Sequence, residues 1–300
     1  CMYWGGPIGP GSFPSFCVAG ASNSLGSRGA CGGDIDGDGK VELVLGETGA
    51  GRAWLFWGSS LITEPTSTAQ ADLQFQGDAT MSEFGYDAEF LGDVDGDGVE
   101  DLGVAWANGL VIYSGASLPV SGVLVPSDGV AIVQGYNRAT EGGLLAAGDV
   151  DGDGYADFIV CGLWGCYLMS GQVAISSASP SLLADGVVLG SSYANPSHSA
   201  VADFDADGTL DVVRPQGLVG NSQSVLVYSG AQIAADMAAG LTPTYDFGFS
   251  SGSLGAQFAN SITAGDWNGD GAPDLIIAAS SYNSTTEPGY VFFLPNTLSW

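Results

Sequence analysis

The sequence predicts an all-β fold, a β-propeller of four-stranded blades with an acidic loop between strands one and two of each repeat. Three observations predict it. A nine-residue pattern, Asp-x-Asp/Asn-x-Asp-Gly-x-x-Asp/Glu, starts at Asp34, Asp93, Asp149, Asp203 and Asp266, at intervals of 59, 56, 54 and 63 residues. Runs of four to six residues rich in Val, Ile and Leu flank the copies, the length of strands rather than helices. Glycine supplies 48 of 300 residues, about twice its ordinary share, which fits many tight turns between short strands.

Along the chain, Cys1–Gly5 and Ser15–Ala19 align with strands three and four of a repeat, so the chain is expected to begin in mid-blade. Trp54–Gly58 and Asp72–Phe75 are strands three and four of the first loop-bearing unit. In the second, Ala88–Gly92 is strand one, Asp101–Ala105 strand two, Leu110–Gly115 strand three and Val130–Val133 strand four. Cys166–Gly171 and Gly186–Leu189 are the third and fourth strands of the next unit, and Val225–Gly230 is the third of the one after. Asp274–Ala278 and Tyr290–Leu294 are strands two and three of the last. Four short strands per repeat is the signature of a propeller blade. Residues 15–19 are expected to complete the last blade and close the ring, removing an exposed edge. Cys1–Gly5 is then surplus, which suggests a window of a larger propeller with six or seven blades. Residues 1–300 read as a single domain.

The spacing of the acids points to calcium. Ca²⁺ takes six to eight oxygens, and alternate residues of a tight loop turn their carboxylates inward while one main-chain carbonyl fills a further position. Positions one, three, five and nine supply Asp34, Asp36, Asp38 and Glu42 in the first loop, and Asp93, Asp95, Asp97 and Asp101 in the second. The third offers Asp149, Asp151, Asp153 and Asp157; the fourth Asp203, Asp205, Asp207 and Asp211; the fifth Asp266, Asn268, Asp270 and Asp274. Position seven, contributing its carbonyl, is Lys40, Val99, Tyr155, Thr209 or Ala272. An EF-hand requires Glu at position 12 and flanking helices; here position 12 is Leu45, Val104, Val160, Arg214 or Ile277, and no helices are expected. Mg²⁺ prefers to keep its waters. Five structural Ca²⁺ ions would change the formal charge from −28 to −18.

Phe84-Gly85, with the variants Leu25-Gly26 and Leu254-Gly255, stands eight to eleven residues before its loop, and strand three ends in Tyr113-Ser114-Gly115-Ala116. These features resemble the FG-GAP repeat of integrin α-subunit propellers, which bacterial surface and secreted proteins also carry in FG-GAP or VCBS-like form. The third unit departs from the pattern with Glu141-Gly142, and the fourth has no such dipeptide near Asn195. The resemblance implies the propeller and its calcium loops and leaves the ligand open.

Composition excludes other classes. With 33 acids against 5 Lys and Arg, the chain repels a phosphate backbone, so no nucleic-acid partner is expected. No stretch approaches the roughly 20 apolar residues of a membrane span, so no membrane insertion is expected. His198 is the only histidine, which leaves no Ser-His-Asp set or zinc cluster to assemble. Gly46–Arg52 echoes a phosphate-binding loop but lacks its Lys, and reads as a hairpin turn. Asn283-Ser284-Thr285 is a glycosylation sequon only in a eukaryotic secretory host. Cys161 and Cys166 are placed for a cross-hairpin disulfide and Cys17 and Cys31 for a second, leaving Cys1; buried free thiols are the alternative. Calcium demand and disulfides together favour an extracellular or cell-surface location.

The expected function is a non-catalytic adhesion or ligand-binding propeller; the alternative is a secreted polysaccharide lyase or hydrolase on the same scaffold. Because every acidic loop joins strands one and two, the loops share a face. Arg52 and Arg214 fall by two-to-three connections, Arg138 in a four-to-one connection, and Arg28 and His198 near the entry to strand one. They share the opposite face with Tyr86, Tyr136, Trp164, Tyr193 and Tyr282. Cations beside aromatic rings suit sugars and carboxylates, so Arg52, Arg138, Trp164, Arg214 and Tyr282 are candidate contacts for a protein or carbohydrate ligand. The competing expectation is that the arginines pair with Glu47, Glu83 or Glu141.

Overall fold

The computed structural model describes residues 17–22, 24–135, 143–162, 165–190, 199–217, 223–250, 259, 261–279 and 290–295. The chain divides into two compact units, Cys1–Phe90 with Asp97–Val133, and Leu91–Gly96 with Gln134–Trp300.

In the first unit, β1 (Leu25–Cys31), β2 (Leu43–Glu47), β3 (Arg52–Phe56) and β4 (Leu73–Gln76) form an antiparallel sheet in chain order. The second sheet takes β5 (Ala88–Gly92), β6 (Asp101–Trp106), β7 (Gly109–Tyr113) and, after β8 (Gly122–Leu124), β9 (Ala131–Gln134). Side chains alternate along each strand, so both faces of the first sheet find a core. Leu43, Trp54 and Phe56 pack with Leu61 on one face. On the other, Val44, Leu55, Leu73 and Phe75 meet Phe90, Val104 and Val111 of the second sheet. Burial on both faces explains why these strands read as continuous apolar runs. Each fully buried Val, Leu or Phe contributes roughly 1.5–3 kcal/mol.

The second unit repeats this plan with β10 (Gly143–Gly148), β11 (Asp157–Gly162), β12 (Gly165–Met169) and β13 (Val187–Gly190). A further sheet holds β14 (Ala200–Ala202), β15 (Asp211–Gly217), β16 (Gln223–Tyr228) and β17 (Phe247–Ser250). The last holds β18 (Ser261–Gly265), β19 (Asp274–Ala279) and β20 (Tyr290–Leu294). Ile159, Leu168 and Leu189 face Val212, Leu226 and Tyr228. Val213, Val225 and Val227 then face Leu275 and Ile277. The chain is thus all-β in successive propeller-like sheets.

Phe84-Gly85 has a packing explanation. Phe84 is fully buried in the core between the two sheets. Gly85 adopts φ +77°, and a Cβ there would lie 1.8 Å from the Arg52 carbonyl oxygen. Only glycine lets the backbone approach β3 so closely.

Short helices correct the expectation that helices are absent. After strand three, α1 (Gly58–Leu61), α2 (Gly171–Ser176) and α3 (Gly230–Ala238) begin the connection to strand four. Each helix buries an apolar side chain of its own, such as Ala174 of α2 and Ile233 of α3, which outweighs its short length. The same connections also reach backwards. β8 pairs in parallel with β4, and isolated parallel bridges join Ala19 to Ser67 and Gln134 to Ser181.

Cys161 and Cys166 face each other across the β11–β12 hairpin and form a disulfide. Cys17 is also disulfide-bonded, whereas Cys31 is free and exposed, so the expected pairing of those two is not formed.

Candidate metal centre

Each acidic loop is folded by its own side chains before any ion is considered. In the third loop the Asp149 carboxylate accepts the amides of Asp153 (3.0 Å) and Gly154 (3.0 Å). Asp151 accepts the Asp153 amide at 3.1 Å, and Asp153 accepts that of Tyr155 at 2.9 Å. The first and fourth loops repeat the bond from position six to position one, Gly39 to Asp34 at 2.7 Å and Gly208 to Asp203 at 3.0 Å. The position-six glycines sit at φ between +85° and +93°, a region costly for other residues.

Position nine is the keystone. Glu42, Asp157 and Asp211 have no exposed surface. One oxygen of each accepts the amide of position two: Ile35 at 2.8 Å, Val150 at 3.0 Å and Phe204 at 2.8 Å. The other accepts the first amide of the helix after strand three: Gly58 at 3.5 Å, Gly171 at 3.1 Å and Gly230 at 2.9 Å. The carboxylate therefore ties its loop to the helix N-terminus, where the dipole favours negative charge.

These bonds bring the acids of positions one, three and nine together. Carboxylate oxygens of Asp34, Asp36 and Glu42 lie within 4.8 Å of one another, as do those of Asp149, Asp151 and Asp157, and of Asp203, Asp205 and Asp211. Oxygens held about 2.4 Å from one ion can be no more than about 4.8 Å apart, so the spacing suits Ca²⁺. The position-five acid stands outside these groups. Asp38 instead binds the Lys40 ammonium at 2.8 Å, and Asp153 and Asp207 turn to the amide of position seven.

The second loop crosses the boundary between units. In the first unit, Asp97 accepts the Val99 amide (2.9 Å) and the Ser114 hydroxyl (3.1 Å), and buried Asp101 accepts the Gly115 amide (2.9 Å). Asp93 and Asp95 belong to the second unit, where the Ala156 amide donates to the Asp93 carbonyl at 2.7 Å. The fifth loop keeps the plan with one amide. Asp266 accepts the Gly271 amide (2.8 Å), Asp270 the Ala272 amide (3.0 Å), and Asp274 the Trp267 amide (2.9 Å), while Asn268 donates to Asp270 (2.9 Å).

Electrostatics favours a cation. Burial, then the Asp151 charge, pushes Asp157 up to about 7. Burial likewise pushes Asp211 up to about 6, with Asp205 and Asp207 adding to it. Glu42 is raised by burial, with Asp36 and Asp34 adding to it. An all-oxygen set of mutually repelling carboxylates fits a hard divalent ion and offers nothing to a thiophilic one.

Of the residues expected on the ligand face, Arg28, Arg52, Tyr86 and Arg214 are among the described ones. Arg52 is half-buried, with its guanidinium 5.8 Å from the Trp54 ring centroid and its Nε without a hydrogen-bond partner. Arg214 is a correction: it is 1% exposed, because its side chain points into the interface between two sheets rather than out from a loop. Tyr86 is buried rather than exposed, with Arg28 over its ring at 5.3 Å and Asp87 3.8 Å from Arg28. Glu47, expected as an arginine partner, accepts the Trp54 indole N–H (2.8 Å) and the Ser22 amide (2.6 Å). Arg138, Trp164 and Tyr282, with Tyr136, Tyr193, His198 and Glu141, lie outside the described residues.

Residues 258–294 match the FG-GAP repeat. That segment includes the whole fifth loop and the strands on either side of it. No curated protein matches the chain. Among solved structures, the Vibrio cholerae biofilm matrix protein Bap1 is similar at 15% identity and TM-score 0.43, over 89% of this chain and 37% of that one. An Agrocybe aegerita lectin that recognises non-reducing terminal N-acetylglucosamine is similar at 17% identity and TM-score 0.44, over 90% and 66%. A Photorhabdus luminescens Tc holotoxin pore is similar at 14% identity and TM-score 0.45, over 96% of this chain and 12% of that one. Among the described residues no helix is long and apolar enough to cross a membrane.

Proposed function

We propose that the chain is a calcium-stabilised, non-catalytic FG-GAP propeller, a ligand-binding or adhesion module of a secreted or cell-surface protein. One observation carries this reading. Three loops within single units gather the carboxylates of positions one, three and nine within 4.8 Å of one another, with the position-nine acid fully buried. Five ions are expected, one per loop, because the second and fifth loops keep the same internal bonds at the positions described. The ligand, a protein or carbohydrate, is expected at the face opposite the loops, with half-buried Arg52 among its candidate contacts.

Calorimetric titration of the metal-free protein with Ca²⁺ tests the reading. Several sites and a melting temperature lowered by EDTA are expected. A melting curve that ignores both EDTA and added calcium rejects it. Turnover on acidic polysaccharides, followed by absorbance, would reject the non-catalytic part alone.

A further inference from the structure

Position 12 of the repeat, within strand two, is aliphatic in four copies: Leu45, Val104, Val160 and Ile277. In the remaining copy it is Arg214, on β15, with 1% of its surface exposed. The substitution puts a guanidinium into the apolar interface with the preceding sheet, beside Leu189 and Gly190 at the end of β13. Its Nη1 donates to the Leu189 carbonyl at 2.7 Å, an oxygen that also accepts from the Tyr228 hydroxyl. Gly190 makes room for it: a Cβ there would lie 2.4 Å from Nη1.

The rest of the guanidinium is unmatched. Nε and Nη2 are buried without a hydrogen-bond partner. Arg214 takes part in neither ion pair found among the described residues. Burial pushes it below the usual arginine range, and the influences opposing that come from Tyr228, not from a carboxylate. A second buried group beside it is also unmatched. Ala200, the first residue of β14, pairs with Val213, and Ser199 directly precedes it, so the ladder continued by one residue would bring Ser199 opposite Arg214. The Ser199 hydroxyl is buried and has no partner.

The two free nitrogens are not an arbitrary pair. With Nη1 committed to Leu189, Nε and Nη2 form one edge of the guanidinium and present two parallel N–H donors. That fork matches two oxygens of one anion, as in bidentate arginine pairs with carboxylate or phosphate. A spherical halide would satisfy only one direction. Burying a cation without a counter-charge is strongly unfavourable, and an anion at this edge removes that cost.

We propose that Arg214 and Ser199 form a buried site for a small anion that offers two oxygens, a carboxylate or sulfate, held between these two sheets of the second unit. The extent of burial restricts the occupant to a small free anion and excludes a group carried on a polymer. The site lies on β15, three residues beyond Asp211 of the acidic loop.

The test is thermal melting of the calcium-loaded chain in formate or in sulfate, each against chloride at equal ionic strength. The wild type is expected to show a saturable rise of about 3–6 °C below roughly 20 mM oxyanion. Arg214→Leu, which restores the aliphatic residue of the sister strands, is expected to show none. Arg214→Lys keeps the charge and loses the fork, and is expected to weaken the response at least tenfold. Line broadening of ¹³C-formate by the wild-type protein, reversed by sulfate, reads binding directly if a variant fails to fold. A wild type that responds no differently to oxyanions than to chloride, an unchanged response in a folded variant, or the absence of formate broadening overturns the proposal.

Discussion

Asp151→Asn separates the two burdens on an acidic loop, and the expected sign of its effect depends on calcium. The Asp151 carboxylate accepts the Asp153 amide at 3.1 Å, and the Asp151 main-chain amide, which the substitution leaves in place, donates to Asp157 at 3.3 Å. Asn268 makes the equivalent bond in the fifth loop, to Asp270 at 2.8 Å, so asparagine can keep it. What the substitution removes is charge. Carboxylate oxygens of Asp149, Asp151 and Asp157 lie within 4.8 Å of one another. Two unit charges at that separation repel by about 0.9 kcal/mol at the dielectric of water and about 3.5 kcal/mol at an effective value of 20. Asp151 is half-buried, so solvent screening holds the relief to the lower part of that range, about 1 kcal/mol. In EDTA at pH 8, where Asp157 is ionised, the variant is expected to be more stable than wild type by about that amount. In saturating calcium the sign reverses. One charged ligand becomes a neutral oxygen, and a tenfold loss of affinity costs about 1.4 kcal/mol. Urea midpoints of both proteins under both conditions give the four values needed. A variant less stable than wild type in EDTA would show that these carboxylates do not repel one another in the metal-free loop, and the electrostatic argument for a cation would fall with it.

Other residues give independent checks. Burial, with Asp87 and Glu100 adding to it, pushes Glu89 up to about 7. A carboxyl raised in the folded state holds its proton more tightly there than when unfolded, so stability falls as pH rises from about 4.5 to 7. Glu89→Gln is therefore expected to stabilise the protein by about 2–3 kcal/mol at pH 8 and by almost nothing at pH 4.5, read from urea midpoints across that range. Tyr113 buries a hydroxyl with no partner in the core of the first unit, so Tyr113→Phe should stabilise the protein by about 1 kcal/mol, read from urea midpoints; a loss would reveal a bond at that oxygen. Gly85→Ala meets both positive φ and the Arg52 carbonyl, and is expected to cost about 3 kcal/mol by denaturant titration.

Much of this was legible because the chain repeats itself. Aligning five copies separates what the loop requires from what one unit happens to carry. Glycine at position six is required by a left-handed turn, and the apolar runs after each loop by sheets buried on both faces. The roles inside the loop were less legible. Spacing treats positions one, three, five and nine alike, but only the structure shows position nine buried against a helix and position five turned to its own backbone. The helices were missed because they are short and their stability comes from apolar residues seated on the sheets, a tertiary effect that local propensity does not record. The parallel pairing of β8 with β4 was missed for the same reason. It joins backbone atoms through the Gly122 amide and Asp72 carbonyl, 3.0 Å apart, and leaves almost no side-chain signature.

The same alignment explains why the ligand face was harder to place than the metal loops. A metal loop is local: nine consecutive residues hold all its acids, so counting along the chain is nearly the same as measuring in space. A face made of connections draws on residues far apart in sequence, and a residue's distance from a predicted turn does not say which way its side chain points. Arg214 shows the consequence. It stands three residues after the last acid of its loop, near enough to the end of strand two to look like part of an exposed turn. Yet strand alternation sets it on the same side of the sheet as Val212, whose neighbours are Leu168, Leu189 and Leu226. The aliphatic residues at the matching position in the other four copies already said that this place faces inward. A charged residue where its siblings are apolar is evidence of what lies beside it in the core, and it should be weighed as a buried group before it is counted as a surface one.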